Sequence, residues 1–372
     1  MNKVKKLFSK QYLFSDPSLY VIYAAVEYLV YILVNGSFLA TLTTELGMSD
    51  SLTGILSSFV SLGCVFQLIS VALRPRKIKS FVTIFNLLNQ ILFTLLYAFP
   101  FFPLQKDLRI WLFIVTVLVS YFFFYVAAPK KTNWFMSKVD DHSRGRFTAN
   151  KEIVSLIAGM AFSFGMGTLV DHYKAQNDMR TAFIICAVTI LGLSIVQAAL
   201  SLGVTEQENI PTQKSNPLKA FADLLKDKNV VKVTILFAIW NIAQYATTPF
   251  YGTYLIKELG FSLQLVSILS MVGSVARIMV SRFWGNYADK HSFAAMVKLC
   301  YAVAAVAFLA MIFAAPSNGI FTYSVYIIAH SVAMGGINSS LMNLVFDYAP
   351  TEKRADALAL NQTVGGIIGF VY

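Results

Sequence analysis

The chain has 372 residues, of which 57% are hydrophobic and only 13% charged, and it carries a net charge of +11. Soluble domains run at roughly 45–50% apolar and about 25% charged residues, so this composition excludes an ordinary soluble protein and identifies an integral membrane one. The three cysteines, Cys64, Cys186 and Cys300, are single and lie inside apolar runs, which supports packing roles rather than a disulfide framework or a metal cluster.

A bilayer core about 30 Å thick needs roughly 20 mostly apolar residues per helix. The N-terminal stretch MNKVKKLFSKQYLFSDPS is basic and polar rather than a short apolar core with a small-residue cleavage site, so the first span is expected to be retained. Spans are predicted at about 19–43, 51–73, 80–102, 110–136, 152–171 and 181–203, then at 231–256, 262–284, 293–315 and 320–347. An eleventh begins near Asn361 and runs to Tyr372. Between the sixth and seventh spans, Asn216 can cap a helix that Pro217 opens. Leu218, Phe221, Leu224 and Leu225 share one face of it, opposite Lys219, Asp223 and Lys226. This reads as an interfacial helix, with a solvated linker as the alternative.

Cations collect on the cytoplasmic side of membrane proteins. With the N-terminus inside, 25 of the 30 lysines and arginines fall in the tail and the cytoplasmic loops, leaving Lys106, Arg109, Lys174, Arg180 and Lys257 on the other face. The basic balance therefore reports topology, and no nucleic-acid partner is expected. Lys130 and Lys131 read as interfacial cations.

Residues 45–57, ELGMSDSLTGILS, match residues 258–270, ELGFSLQLVSILS, at eight of thirteen positions. A weaker echo aligns RGRFTANKEIVSLIAG from Arg144 with RADALALNQTVGGIIG from Arg354. An internal repeat of about 210 residues predicts an all-α membrane fold of two six-helix parallel repeats, related by an axis along the membrane normal. The expected division is 1–203 for the first half, 204–230 for a cytoplasmic linker and 231–372 for the second. On that pattern twelve helices are expected and about ten and a half are present, so the chain reads as truncated in the eleventh.

GNYADK, from Gly285 to Lys290 after the eighth span, together with the two halves and the linker, resembles the major facilitator superfamily. Gly285, Asp289 and Lys290 match that family's loop signature. His291, Ser292 and Phe293 depart from it, and the first-half loop ALRPRKIKS lacks both the Gly and the Asp. Arg144 and Arg146 in the RGR between the fourth and fifth spans are also similar to the family. The resemblance implies that the first, fourth, seventh and tenth spans line a central cavity. It also implies that Asp289, with Gly285, Lys290, Arg144 and Arg146, forms a gate that holds the cytoplasmic side closed until the halves rock.

Polar groups in the cavity-lining spans are the substrate and coupling candidates, because ionisable residues at depth are expensive and so functional by default. They are Glu27 and Asn35 in the first span, Asn241 and Gln244 in the seventh, and His330 and Asn338 in the tenth, joined by Gln67 and Arg277 in the second and eighth. Glu27 is the expected coupling carboxylate, with Arg277 as a neighbouring cation and His330 as the next proton site. Gly36 and Pro249 weaken the first and seventh spans at related places and are gating candidates. The bland alternatives are interhelical hydrogen bonding for the amides, snorkelling for Arg277 and packing for His330.

The expected function is secondary active transport of a small organic solute by rocking-type alternating access, coupled to a proton or sodium gradient. The protein is expected to be a monomer in the cell membrane, multi-pass, with no cofactor. No zinc-protease, nucleophile-elbow or Walker pattern occurs, so neither an enzyme nor an ATP-driven pump is expected. The alternatives are a transporter-like sensor or receptor and a drug efflux antiporter. The fifth span, GMAFSFGMGTLVD, lacks a Gly-Pro step similar to that of the antiporters.

Overall fold

The computed structural model describes residues 15–49, 52, 56, 63–73, 75–206, 217–259, 261 and 263–371. Their regular structure is helical: α1 (Asp16–Leu33), α2 (Gly36–Glu45), α3 (Gln67–Ala72), α4 (Ile78–Leu96), α5 (Lys106–Met136), α6 (Arg144–Ala175) and α7 (Met179–Gly203). After these come α8 (Pro217–Leu224), α9 (Lys228–Lys257), α10 (Leu263–Lys290), α11 (Phe293–Ile312), α12 (Gly319–Tyr348) and α13 (Arg354–Val371). Seven helical stretches among the described residues are long and apolar enough to cross a membrane by length and composition, with α1 and α2 taken as one. α9 and α10, of 30 and 28 residues, also have the length to cross.

Local chemistry sets the ends. Asp227, Ser292 and Asp178 each accept backbone N–H groups as N-caps, the last from Thr181 at 3.1 Å. The first span is interrupted. Asn35 has extended backbone, φ −136° and ψ 171°, and becomes the N-cap of α2. The carbonyls stranded at the end of α1 find side chains instead: Asn35 Nδ2 donates to Tyr31 O at 3.1 Å and Tyr97 Oη to Leu33 O at 2.5 Å. The expected weak point at Gly36 is thus a real break just before it. At Pro249 the helix assignment of α9 runs through without interruption.

Several helices outrun their predicted spans. The spans 152–171 and 262–284 become α6 from Arg144 and α10 to Lys290, because these polar extensions bury against protein. Arg144, Gly145 and Thr148 are all buried. The linker helix α8 likewise departs from expectation. Phe221 and Leu224 are 8% and 1% exposed and join a protein core rather than lying against lipid, while Leu225 stays exposed.

Three apolar cores describe how the bundle closes. One contains Leu19, Trp134 and Phe221 together with Trp284, Leu344 and Leu358, and so unites helices from the start and the end of the chain. The second is built from Val30 to Ile190 alone and the third from Leu255 to Tyr326 alone. The shared core lies at the end where the chain carries α8, Arg144 and Asp289, termed the basic end here. Toward the opposite end the early and late helices keep separate cores.

Candidate functional site

At the basic end α6 meets α10 with almost no side chain between them. A Cβ at Gly145 would lie 2.6 Å from Gly285 O and from Asp289 Oδ1, and one at Gly285 would lie 2.7 Å from Gly145 O. Asp289 uses this proximity. Its Oδ1 accepts Gly145 N–H at 2.9 Å and its Oδ2 accepts Arg146 N–H at 3.1 Å and Arg146 Nε at 2.8 Å. A carboxylate on the first turn of α6 is also favoured by the helix dipole. Arg144, 5% exposed, pairs with Asp347 of α12 at 3.2 Å, and Asn343 donates to Thr148 Oγ1 at 3.2 Å. Gln67 donates to Gln362 of α13 at 2.7 Å. Of the expected gating residues, Lys290 does not join this cluster; it is exposed and has no ion pair among the described residues.

Deeper in, two ion pairs form where the sequence offered single charges. Lys131 of α5 donates to Glu27 of α1, with side-chain exposures of 8% and 24%. Arg277 Nε of α10 donates to Glu152 Oε1 of α6 at 2.6 Å. Two expectations are corrected here. Arg277 is not the cation next to Glu27, nor does it snorkel: α10 continues to Lys290, which puts Arg277 about 20 Å from that end by helical rise. Lys130 and Lys131, expected at the interface, are covered by protein. They are 5% and 7% exposed, and Lys130 Nζ donates to Ser70 O at 2.7 Å. The polar tail of α5 is buried because Trp134, Phe135 and Met136 carry it into the shared core.

Beside the Glu27–Lys131 pair lies a cavity of about 350 Å³ between α1, α4, α5 and α6, lined by Tyr28, Tyr31, Asn89, Phe93, Tyr121 and Phe124, with Glu27 and Lys151 at its charged side. Asn35 borders it through the bond it accepts from Tyr121 Oη at 3.2 Å. The remaining candidates scatter. His330 is buried, shares a 2.9 Å hydrogen bond with Gln244, and stacks on Tyr326 and Trp240. Asn241 turns back to Phe237 O on its own helix at 2.7 Å and packs on Gly365 of α13. Asn338 is exposed with no hydrogen-bond partner among the described residues. The side chain of Pro249 lies outside the described ones.

Sequence reasoning missed Glu152, Lys151 and a buried amide seam. Asn86 bonds to Tyr23, Gln90 to Gln197, and Asn89 donates to Ser120 O at 2.9 Å. The signal was present: Asn86, Asn89 and Gln90 recur at the spacing of one helix face. Glu152 fell at the predicted start of a span, so its depth was hidden.

Early and late helices share one core at the basic end and keep separate cores away from it; among the described residues the cavity is lined by early helices alone, so the expected lining by the seventh and tenth spans is not seen in it. The family model for the Major Facilitator Superfamily matches residues 18–372, and the chain belongs to that superfamily. No curated protein matches the chain. Among solved structures it is similar to a bacterial homologue of the iron transporter ferroportin in an outward-facing state with soaked iron. That match has a TM-score of 0.73 at 10% identity and covers 95% of this chain and 90% of that one. It is also similar to the proton:xylose symporter XylE bound to 6-bromo-6-deoxy-D-glucose, with a TM-score of 0.60 at 12% identity, over 98% of this chain and 88% of that one. At these identities the likeness is one of fold.

Proposed function

We propose that the chain is a secondary active transporter that carries a small organic solute by alternating access, coupled to a proton or sodium gradient, with its basic end facing the cytoplasm. The observation that carries this reading is the Glu152–Arg277 ion pair, because it joins an early helix, next in sequence to the cavity-lining Lys151, to a late one. A pair in that position breaks when the two groups of helices rock apart, so its state and the conformation are linked. The separate cores away from the basic end support an outward-open form. Aromatic rings and amides on the cavity wall favour an organic solute over a bare cation, which Lys151 would repel.

In this reading Glu27 exchanges its Lys131 partner for a proton or a solute group during the cycle, and Asp289 latches the basic end. The test is flux in vesicles. A ligand-induced thermal-shift screen first identifies a solute. Glu27→Gln is then expected to abolish accumulation driven by an imposed gradient while retaining exchange of labelled for unlabelled solute. Unchanged accumulation with an unchanged pH dependence would sink Glu27 as the coupling group. Specific binding with neither exchange nor accumulation in the native chain would instead favour a sensor, and gradient-driven export would favour an efflux antiporter.

A further inference from the structure

The charges around the cavity do not cancel. Lys131 is taken by Glu27 and Arg277 by Glu152, which leaves Lys151 as a third cation facing two carboxylates that are already paired. Lys151 is half-buried and lines the cavity. Its Nζ lies 5.0 Å from the centre of the Tyr20 ring and 3.4 Å from Tyr20 Oη, and no carboxylate comes within ion-pair distance of it among the described residues. Tyr20 in turn stacks on Phe135 at 4.4 Å and on Phe147 at 5.6 Å. An ammonium has three N–H donors, and here an aromatic plate and one phenol oxygen are its partners. Beyond it the wall turns apolar, with Tyr28, Tyr31, Phe93 and Phe124.

Resting on the reading of this cavity as the solute site, we propose that the solute is an organic monoanion, a carboxylate on an apolar or aromatic body, with the carboxylate held by Lys151. A charge in a low-dielectric wall favours a ligand that neutralises it. One ammonium matches one negative charge, so a doubly charged phosphate would bring a second charge with no partner. Tyrosine and phenylalanine faces supply area for the body of the ligand. Glu27 and Glu152 oppose the anion less than free carboxylates would, because each is bonded to its own cation.

The test uses three probes that share one body and differ in charge: 3-phenylpropionate, 3-phenylpropan-1-ol and 3-phenylpropylamine. Each is dialysed to equilibrium against the purified full chain. The acid is expected to bind at least about tenfold more tightly than the alcohol or the amine, the size of one desolvated charge contact. Lys151→Gln should abolish the preference and Lys151→Arg should restore it. Lys174→Gln, an exposed lysine at the far end of the same helix, should leave it intact. Equal binding of all three, no binding of any, or an acid preference that survives Lys151→Gln would overturn the proposal. Vesicle flux with the same probes separates it from the transport reading. Lysine-dependent binding of the acid without flux keeps the proposal and removes transport. Equal flux of acid, alcohol and amine keeps transport and removes the proposal.

Discussion

Asp289 of α10 reaches across to α6 and accepts the backbone N–H of Gly145 at 2.9 Å. The contact exists because Gly145 and Gly285 lack the side chains that would hold their helices apart. The first turn of a helix has N–H groups without intrahelical partners, and Asp289 takes two of them while also bonding Arg146. It is therefore a latch of one carboxylate against one helix terminus. Its Arg146 partner is 58% exposed, so the ion pair itself adds little.

Asp289→Asn should loosen that latch. The charge–dipole contribution is about 1 kcal/mol, which corresponds to roughly a fivefold shift in a two-state equilibrium. In a chain whose native cysteines are replaced, a cysteine at Thr148, 4% exposed behind the contact, should react several-fold faster with a soluble thiol reagent in the Asn variant. Equal labelling rates would show that the carboxylate does not hold this end shut.

Adding one methyl group should discriminate between glycines. Gly285→Ala drives a Cβ to 2.7 Å from Gly145 O, whereas at Gly165 nothing lies within 4 Å. Overpacking costs about 1–3 kcal/mol, while alanine in a free helix position gains about 0.5–1 kcal/mol over glycine. Thermal unfolding in detergent should accordingly show a lower Tm for Gly285→Ala and no loss for Gly165→Ala.

The Glu27–Lys131 pair should behave as a unit. Removing one partner of a buried pair costs about 3–5 kcal/mol because it strands the other, and the partial exposure of Glu27, 24%, places this case below that range. Glu27→Gln and Lys131→Gln should each lower Tm, and the double variant should recover most of the loss. Additive losses would mean that the two side chains act independently.

Topology is checked from both faces. A cysteine at His142 should react only with reagent on the cytoplasmic side and one at Ser317 only with reagent outside; both positions are exposed. Labelling of position 142 from outside would reverse the proposed orientation.

Composition and pattern determined the membrane class and most helix positions, and the family came from the resemblance of GNYADK and the two halves to a known superfamily. Long apolar runs can satisfy their backbone in a bilayer only as helices, so Asp16 to Leu33 or Phe293 to Ile312 had little choice. GNYADK pointed to Asp289 because its spacing belongs to the chain itself. Which charges meet was decided only by tertiary structure. Glu27 and Lys131 stand 104 positions apart and Arg277 and Glu152 stand 125 apart, and nothing local distinguishes these pairings from the expected Glu27 with Arg277. Hydropathy also ends a span where polarity begins. The buried polar start of α6 was therefore read as interface, as were Lys130 and Lys131 inside the span 110–136, although protein rather than water covers them. Burial is a property of the neighbours that packing brings, and Lys151 is left without an ion-pair partner among the described residues only because Glu27 and Glu152 are claimed by other helices.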